Sequence, residues 1–371
     1  MDGVGDYTRR LAAELAARGH HCSLLALADD RVKTATAFDF GDGNGVVSGL
    51  RLPAADSWTD RISRARSFRE KVAPDRISWQ IVLYAFDPRG LSFGLGRRLR
   101  QIAGSRRNQV MFHEIWIGEE EQSPLKNKLI GKLQKHIIKD LLGELRPLVV
   151  HTHTPLYRHL LGGLGCKVTI LPLFGNIPLA SRPDAEWLKE KWPAGWDQLH
   201  GARRDSWWIF VLFGSIHPEW DAEDFWQRAS LEAQRLGKKC LLISIGRPGL
   251  AGERMLQVLQ RHEGADWRSL HLGQQSQEDI SQCLLAADFG VSAVPPENVF
   301  KSGTAIAMIE HGLQVIVTRP AGRYSHCPSN LLLVGMRNVV TNFDLEAVKK
   351  SDAQSALPSV AGQFIEDLQQ V

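Results

Sequence analysis

The sequence predicts an α/β protein made of two Rossmann-like domains, each a doubly wound parallel sheet, and three observations predict it. Short, continuous apolar runs of strand length recur along the 371 residues, as strands covered on both faces require. Segments of helical apolar spacing separate them, and repeated strand–helix alternation favours parallel strands joined by crossover helices. The alternation stops once, over 178–206, where three prolines and Trp187, Trp192 and Trp196 cluster.

Taken in order, the strands of the first half read 22–27, 80–85, 109–114, 148–151 and 168–173. Those of the second half read 208–213, 240–245, 269–272, 289–293, 315–318 and 331–334. Helices fall at 6–18, 90–103, 124–143, 222–236, 252–261, 276–286, 302–311 and 361–369. The first helix is well signalled: Asp6 can cap it, Tyr7, Leu11 and Leu15 recur four apart, and Gly19 stops it. The chain opens at the turn Gly3-Val4-Gly5-Asp6, where a Rossmann-like domain normally has a strand feeding that turn. The expected organisation is therefore an N-terminal Rossmann-like domain over 1–177 without its first strand, a linker over 178–206 and a C-terminal Rossmann-like domain over 207–371.

Composition narrows the class. Apolar residues make up 43% and charged residues 23%, an ordinary globular balance that excludes wholesale disorder, collagen and coiled coil. No apolar run approaches the roughly 20 residues that span a bilayer, and the first residues carry charges where a secretory segment is apolar. A formal charge of +4 is too weak to argue for nucleic acid. Basic clusters (Arg61, Arg64, Arg66, Arg69, Lys71; Arg97, Arg98, Arg100, Arg106, Arg107) read as solvated helix faces or as a surface for anionic lipid. Five scattered cysteines with no Cys-x-x-Cys pair make neither a disulfide framework nor a zinc site, and fit a reducing compartment.

Several residues can carry chemistry. Gly3 and Gly5 precede a helix, where free N–H groups and the helix dipole favour an anion such as a phosphate. Lys301-Ser302-Gly303-Thr304 repeats that arrangement in the second half and adds a hydroxyl and a point charge, as a diphosphate requires. An N-cap by Ser302 is the plainer reading, and no Walker A spacing is present. His113 ends a strand, where ligands of open α/β sheets bind. His151 and His153 share a strand face, but no third metal ligand stands at usable spacing. Glu297 and Glu310 flank the Lys301 loop. The sequence has no His-Glu-x-x-His and no Asp-x-Asp, which turns the reading away from zinc hydrolases and from metal-held diphosphates.

Gly3-Val4-Gly5-Asp6-Tyr7-Thr8-Arg9-Arg10-Leu11-Ala12 resembles the opening helix of bacterial family 4 glycosyltransferases, which have the GT-B fold. Phe213-Gly214-Ser215-Ile216-His217-Pro218-Glu219, the segment 271–288, and Lys301-Ser302-Gly303-Thr304 through Val317 are similar to that family's C-terminal domain. The resemblance implies two Rossmann-like domains facing across a cleft and retaining transfer of a sugar from a nucleotide-diphosphate donor, without metal or other cofactor. It implies His113 and Glu310 as catalytic residues. Gly3, Gly5, Ser215, Glu297, Lys301, Ser302, Gly303 and Thr304 would bind the donor.

Three departures accompany it. Ser215 and Trp220 stand where the family has an arginine and a lysine for phosphate. Val299 and Ala307 replace the two glutamates of its Glu-x7-Glu pair, with Glu297 and Glu310 nearby. The first strand is missing. The expected partners are the donor, a carbohydrate or lipid-linked acceptor and, through the basic N-domain helices, a membrane surface. The expected place is cytoplasmic, peripheral at the inner face of the membrane. The alternatives are a catalytically inactive binding or scaffold protein and a nucleotide-sugar epimerase or hydrolase of the same fold.

Overall fold

The computed structural model describes residues 3–41, 45–181, 187, 191, 205–324, 338–346 and 348–370. The expected strand at 331–334, Trp192, Trp196, Cys327 and most of the expected linker lie outside these residues. The chain divides into two compact units. The first holds the chain up to Pro172, with Arg323, Tyr324 and the C-terminal segment from Leu357; the second holds Leu173 to Gly322 and the residues up to Ala356.

The first unit begins with α1 (Gly3–Ala17), followed by β1 (Ser23–Asp29), β2 (Thr36–Phe40) and β3 (Val47–Pro53). These strands form one sheet in the order β1-β3-β2, with β2 antiparallel to β3. After α2 (Trp58–Val72) come β4 (Arg76–Ile81), α3 (Leu95–Ala103), β5 (Arg107–Phe112), α4 (Leu125–Leu145), β6 (Val149–Thr152), α5 (Pro155–Gly162) and β7 (Val168–Ile170). Strands β4-β5-β6-β7 make a second, wholly parallel sheet. Among the described residues no ladder joins β1 to β4, so this unit has two sheets where a doubly wound domain has one. Both pack on one core, in which Leu27 and Leu52 meet Trp79, Val110 and Phe112 under Leu99 of α3 and Ile138 and Leu141 of α4.

Several local expectations shift. Helix α1 starts at Gly3, so Asp6 lies inside its first turn and pairs with Arg9 instead of capping it. The run expected as strand 80–85 is the end of β4 followed by a 3-10 turn at Leu83–Ala85. Helix α2 is capped by Ser57, whose Oγ accepts from Asp60 N–H, and α5 by Thr154 with Pro155 in its first turn.

The second unit alternates strand and helix as far as β12: β8 (Trp207–Phe213), α6 (Ala222–Arg235), β9 (Lys239–Ile245), α7 (Gly249–Gln260), β10 (Trp267–Gly273), α8 (Gln277–Ala286), β11 (Phe289–Ser292), a 3-10 turn (Pro296–Lys301), α9 (Gly303–Glu310) and β12 (Gln314–Val317), with β13 (Val339–Val340) after it. All six strands are parallel, in the order β10-β9-β8-β11-β12-β13. Each face carries its own core, one built on Ile209, Val211, Leu241 and Ile243, the other on Phe210, Leu212, Leu242 and Phe225.

The last helix, α10 (Leu357–Gln369), was expected with the second domain and instead packs in the first unit. Its amphipathic face explains this. Phe364 meets the His151 ring at 6.1 Å, Gln363 Nε2 donates to Ile170 O at 2.7 Å, and Leu368 O accepts from Arg76.

Candidate active site

In the second unit the strand order reverses between β8 and β11, since β9 and β10 run off one way and β12 and β13 the other. Such a reversal opens a crevice outside the carboxyl ends of the strands, where ligands of open α/β sheets bind. The residues found there are small. Strands β8, β9 and β10 end at Gly214, Gly246 and Gly273, all at positive φ (89°, 104° and 64°). Their backbones are close: Gly214 N–H donates to Ile245 O at 2.8 Å and Gly246 N–H to Gly273 O at 2.7 Å. A methyl group on Gly214 would lie 2.8 Å from Thr304 Cγ2, and one on Gly246 would lie 3.1 Å from Gly214 Cα. The glycine row thus abuts the first turn of α9.

That turn is well formed. Ser302 caps α9, its Oγ accepting from Ala305 N–H at 3.3 Å and lying 3.0 Å from Thr304 Oγ1. Lys301 immediately precedes it, at the end of the 3-10 turn. Exposed Ser215 follows Gly214 directly. The structure therefore brings together Ser215, Lys301, Ser302, Gly303 and Thr304, expected as one donor cluster. It adds Gly246, with Arg247 next to it donating to Gln274 Oε1 at 2.9 Å, which sequence reasoning missed. Their signal was the repeated ending Phe213-Gly214, Ile245-Gly246 and Leu272-Gly273, a glycine closing three successive apolar strands.

The two glutamates each hold a backbone N–H. Glu297 is buried, and its Oε1 accepts from Gly322 N–H at 3.0 Å, fastening the segment after β12. Glu310 ends α9, seven residues and about 10 Å of helix from Gly303. It is buried, its Oε1 accepts from Ala356 N–H at 2.9 Å, and its Oε2 would lie 2.7 Å from a methyl on Gly175. The same methyl would lie 3.0 Å from Ala307 Cα, so Ala307 and Glu310 share a helix face and that face is covered by the Gly175 backbone. Trp220, standing where the family has a phosphate-binding lysine, is buried against Phe225.

In the first unit, His113 follows β5 directly and is buried. Both its ring nitrogens are engaged: Nε2 lies 2.8 Å from Gln80 Oε1 and Nδ1 lies 3.0 Å from His153 Nε2. Tyr7 of α1 stands edge-on to both rings, at 4.9 Å and 5.5 Å. Burial pushes His113 well below the ordinary histidine range, and the neighbouring His153 adds to the shift. Gly3 and Gly5 lie in the first turn of the helix that carries Tyr7, and a methyl on Gly3 would meet nothing within 4 Å. His153 therefore partners another histidine and Leu171 O, to which its Nδ1 is held at 3.0 Å. Among the described residues no group of three His, Cys, Asp or Glu side chains is placed to hold a metal.

The basic surface is also redistributed. Arg61 is buried with its guanidinium 4.1 Å over the Trp58 ring, and Arg69 donates to Ile102 O at 3.0 Å. Leu125, Leu129 and Leu133, by contrast, form an exposed stripe on lysine-rich α4. No described helix is long and apolar enough to cross a membrane.

Residues 2–126 match the family described as the glycosyl transferase 4-like domain. No curated protein matches the chain by sequence. Solved structures do match it in fold. The catalytic domain of starch synthase IV from Arabidopsis thaliana, bound to ADP and acarbose, is 12% identical with a TM-score of 0.54, covering 100% of this chain and 96% of that one. Anabaena HepE in complex with UDP and glucose is 13% identical with a TM-score of 0.55 and the same coverage, 100% and 96%. A glycosyltransferase from Rickettsia africae is 12% identical with a TM-score of 0.52, covering 99% and 85%. The fold is GT-B, with two Rossmann-like domains.

Proposed function

We propose, from the premise that this chain is a GT-B glycosyltransferase carrying a glycosyl transferase 4-like domain over residues 2–126, that it transfers a sugar from a nucleotide-diphosphate donor with retention of configuration. The observation that carries this reading is the cradle at the strand-order reversal of the second unit, where the Gly214–Gly246 backbone meets the capped N-terminus of α9.

A diphosphate seated there meets unpaired helix N–H groups, the positive end of the helix dipole and the Ser302 and Thr304 hydroxyls. Lys301 supplies a cation, and Arg247, one residue beyond Gly246, supplies a second in place of those missing at Ser215 and Trp220. These groups stabilise charge as it develops on the leaving diphosphate, the largest contribution such a site can make. The leaving group departs on the face where the acceptor hydroxyl attacks, which retains configuration. In this reading no metal is needed, in keeping with the missing Asp-x-Asp. UDP and ADP donors are the first to try, since proteins of this fold hold those nucleotides. Glu297 and Glu310 act through the backbone segments they hold, and the exposed leucines and lysines of α4 favour a lipid-linked acceptor at an anionic membrane surface.

The test is turnover of UDP-, ADP- and GDP-sugars with release of the nucleoside diphosphate, and NMR of the new linkage. Lys301→Ala is expected to lose about 10- to 100-fold in transfer, the scale of one charge-assisted hydrogen bond. Wild-type transfer by Lys301→Ala would remove the cradle from the mechanism. Binding of a donor with no turnover would favour the inactive binding protein, a reading that buried Trp220 and covered Ala307 support.

A further inference from the structure

Under α1 and α10, one face of the β4-β5-β6 sheet carries a row of polar side chains instead of apolar ones: Ser78 and Gln80 on β4, Gln109 on β5 with His113 beyond it, and His151 on β6 with His153 beyond it. They are hydrogen-bonded end to end. Asp367 Oδ2, on α10, lies 2.9 Å from His151 Nε2; His151 Nδ1 lies 3.0 Å from Gln109 Nε2; and Ser78 Oγ donates to Gln109 Oε1 at 2.5 Å. Gln80 Nε2 donates to Ser78 Oγ at 2.7 Å, and Gln80 Oε1 lies 2.8 Å from His113 Nε2. His113 Nδ1 lies 3.0 Å from His153 Nε2, whose Nδ1 is 3.0 Å from Leu171 O.

Both ends of this row are acceptors, a carboxylate and a carbonyl. Seven hydrogen bonds need seven hydrogens, whereas three neutral imidazoles, two amides and one hydroxyl bring six. The direction is read from the Asp367 end. With the two amides oriented as above, His151 Nδ1 accepts from the Gln109 amide, so His151 as a neutral ring carries its hydrogen on Nε2, towards Asp367. The Gln109 carbonyl then claims the single Ser78 hydrogen, Ser78 accepts from the Gln80 amide, and the Gln80 carbonyl faces His113. His113 Nε2 must donate to it, and His153 Nδ1 must donate to Leu171 O. The one hydrogen between the two rings is then a proton in excess of neutrality.

We propose that Asp367 is a positioning residue that, through His151, Gln109, Ser78 and Gln80, makes the His113–His153 pair hold one shared proton. Repulsion between the two rings limits the pair to one. Among the described residues, Tyr7, on α1, and His153 are titratable groups that face His113, and Asp367 faces His151. Burial and the neighbouring ring act against the charge on His113, and the Gln80 and Leu171 acceptors are what act for it.

Histidine 15N NMR tests this without any substrate, because each ring nitrogen reports whether it carries hydrogen. The wild type is expected to show, at pH 7, His151 protonated on Nε2 only and one imidazolium shared by His113 and His153. Asp367→Asn supplies a seventh hydrogen from its amide. In that variant the pair is expected to lose its proton, and all three rings to carry hydrogen on Nδ1. Gln80→Leu, at a half-buried position, removes the acceptor at His113 alone and is expected to neutralise the pair while His151 stays unchanged. Adding Gln80→Glu to Asp367→Asn is expected to restore the shared proton. Three neutral rings in the wild type at pH 7, an imidazolium at His151 beside Asp367 in place of one on the pair, or an unchanged pair in Gln80→Leu, would overturn the proposal.

The consequence for transfer rests on the reading of His113 above. If His113 serves transfer, Asp367→Asn moves the alkaline limb of the kcat profile down by about one pH unit. A moved proton with an unmoved profile would keep the relay and remove His113 from the reaction.

Discussion

The cradle of the second unit lies at the carboxyl ends of parallel strands and the histidine row of the first runs along the face of such strands to their ends, and the two are built of different material. The cradle is backbone: glycines at positive φ, a capped helix end and small hydroxyls, with little between a ligand and the main chain. The row is side chain: each member is hydrogen-bonded to the next, with exposed Ser78 and half-buried Gln80 joining its buried ends. A backbone site is fixed by the fold and fails by steric intrusion. A side-chain network is fixed by its own hydrogen count and fails when one donor or acceptor is changed.

Intrusion into the cradle has the largest expected effect. Gly214 combines a φ of 89° with a methyl position 2.8 Å from Thr304, so a branched side chain is strained by its backbone and by its neighbour at once. Such a conformation costs about 1–3 kcal/mol in a non-glycine residue. Gly214→Val is expected to abolish the melting-temperature shift produced by a bound nucleoside diphosphate, which reaches about 2.7 kcal/mol at 100-fold over Kd. Gly3→Ala, in the first unit, is the matched control: its methyl meets nothing within 4 Å, and the shift should survive. Equal loss in both variants would mean that the difference between the two sites has been drawn wrongly.

Glu310 sharpens the boundary of the cradle. Its carboxylate holds Ala356 N–H and packs on Gly175, so Glu310→Ala leaves a buried donor unpaired, a cost of about 1–3 kcal/mol. Glu310→Gln keeps an acceptor in place. The expected outcome is a lowered Tm in the alanine variant and near wild-type transfer in the glutamine variant. A glutamine variant that folds normally but fails to transfer would return Glu310 to the chemistry.

The same contrast decides what was legible in the sequence. Strands β8 to β12 are read almost to the residue, because fully buried parallel strands are unbroken apolar runs. Lys301 to Thr304 was legible as a helix start after a strand, and Gly214 as part of a motif. Helix α2 was missed because it packs through Trp58 and the stem of buried Arg61, which read as surface in one dimension. The hairpin strands β2 and β3 were missed because β2 is short and largely exposed and β3 is interrupted by Ser48, Gly49 and Arg51. The histidine row was half legible: His113, His151 and His153 stood out, but Ser78, Gln80 and Gln109 look like ordinary polar positions of a strand. Asp367, which sets the direction of the row, lies more than two hundred residues from His151, and no local pattern connects them.

The smallest expected effect concerns a second histidine network, in the unit where backbone otherwise dominates. His311 follows α9, with Nδ1 2.6 Å from Ala307 O and Nε2 2.8 Å from Ser281 Oγ, which itself accepts from Ala180 N–H. Burial lowers its pKa, Lys350 lowers it further, and the Ala307 carbonyl partly opposes them. A histidine whose pKa is lower folded than unfolded is charged first in the unfolded chain. Its contribution is therefore fully present above the ordinary histidine range and is lost as pH falls through about 6.5 towards the folded value. Stability measured by urea unfolding should decline from pH 7.5 to 5.5, and His311→Gln, which cannot titrate, should flatten part of that decline. Unlike the row under α10, this network has a donor for each hydrogen bond with the ring neutral, so no excess proton is called for. If His311 proved charged at pH 7, hydrogen counting would fail in the unit where it is simplest, and the argument for Asp367 would lose its footing with it.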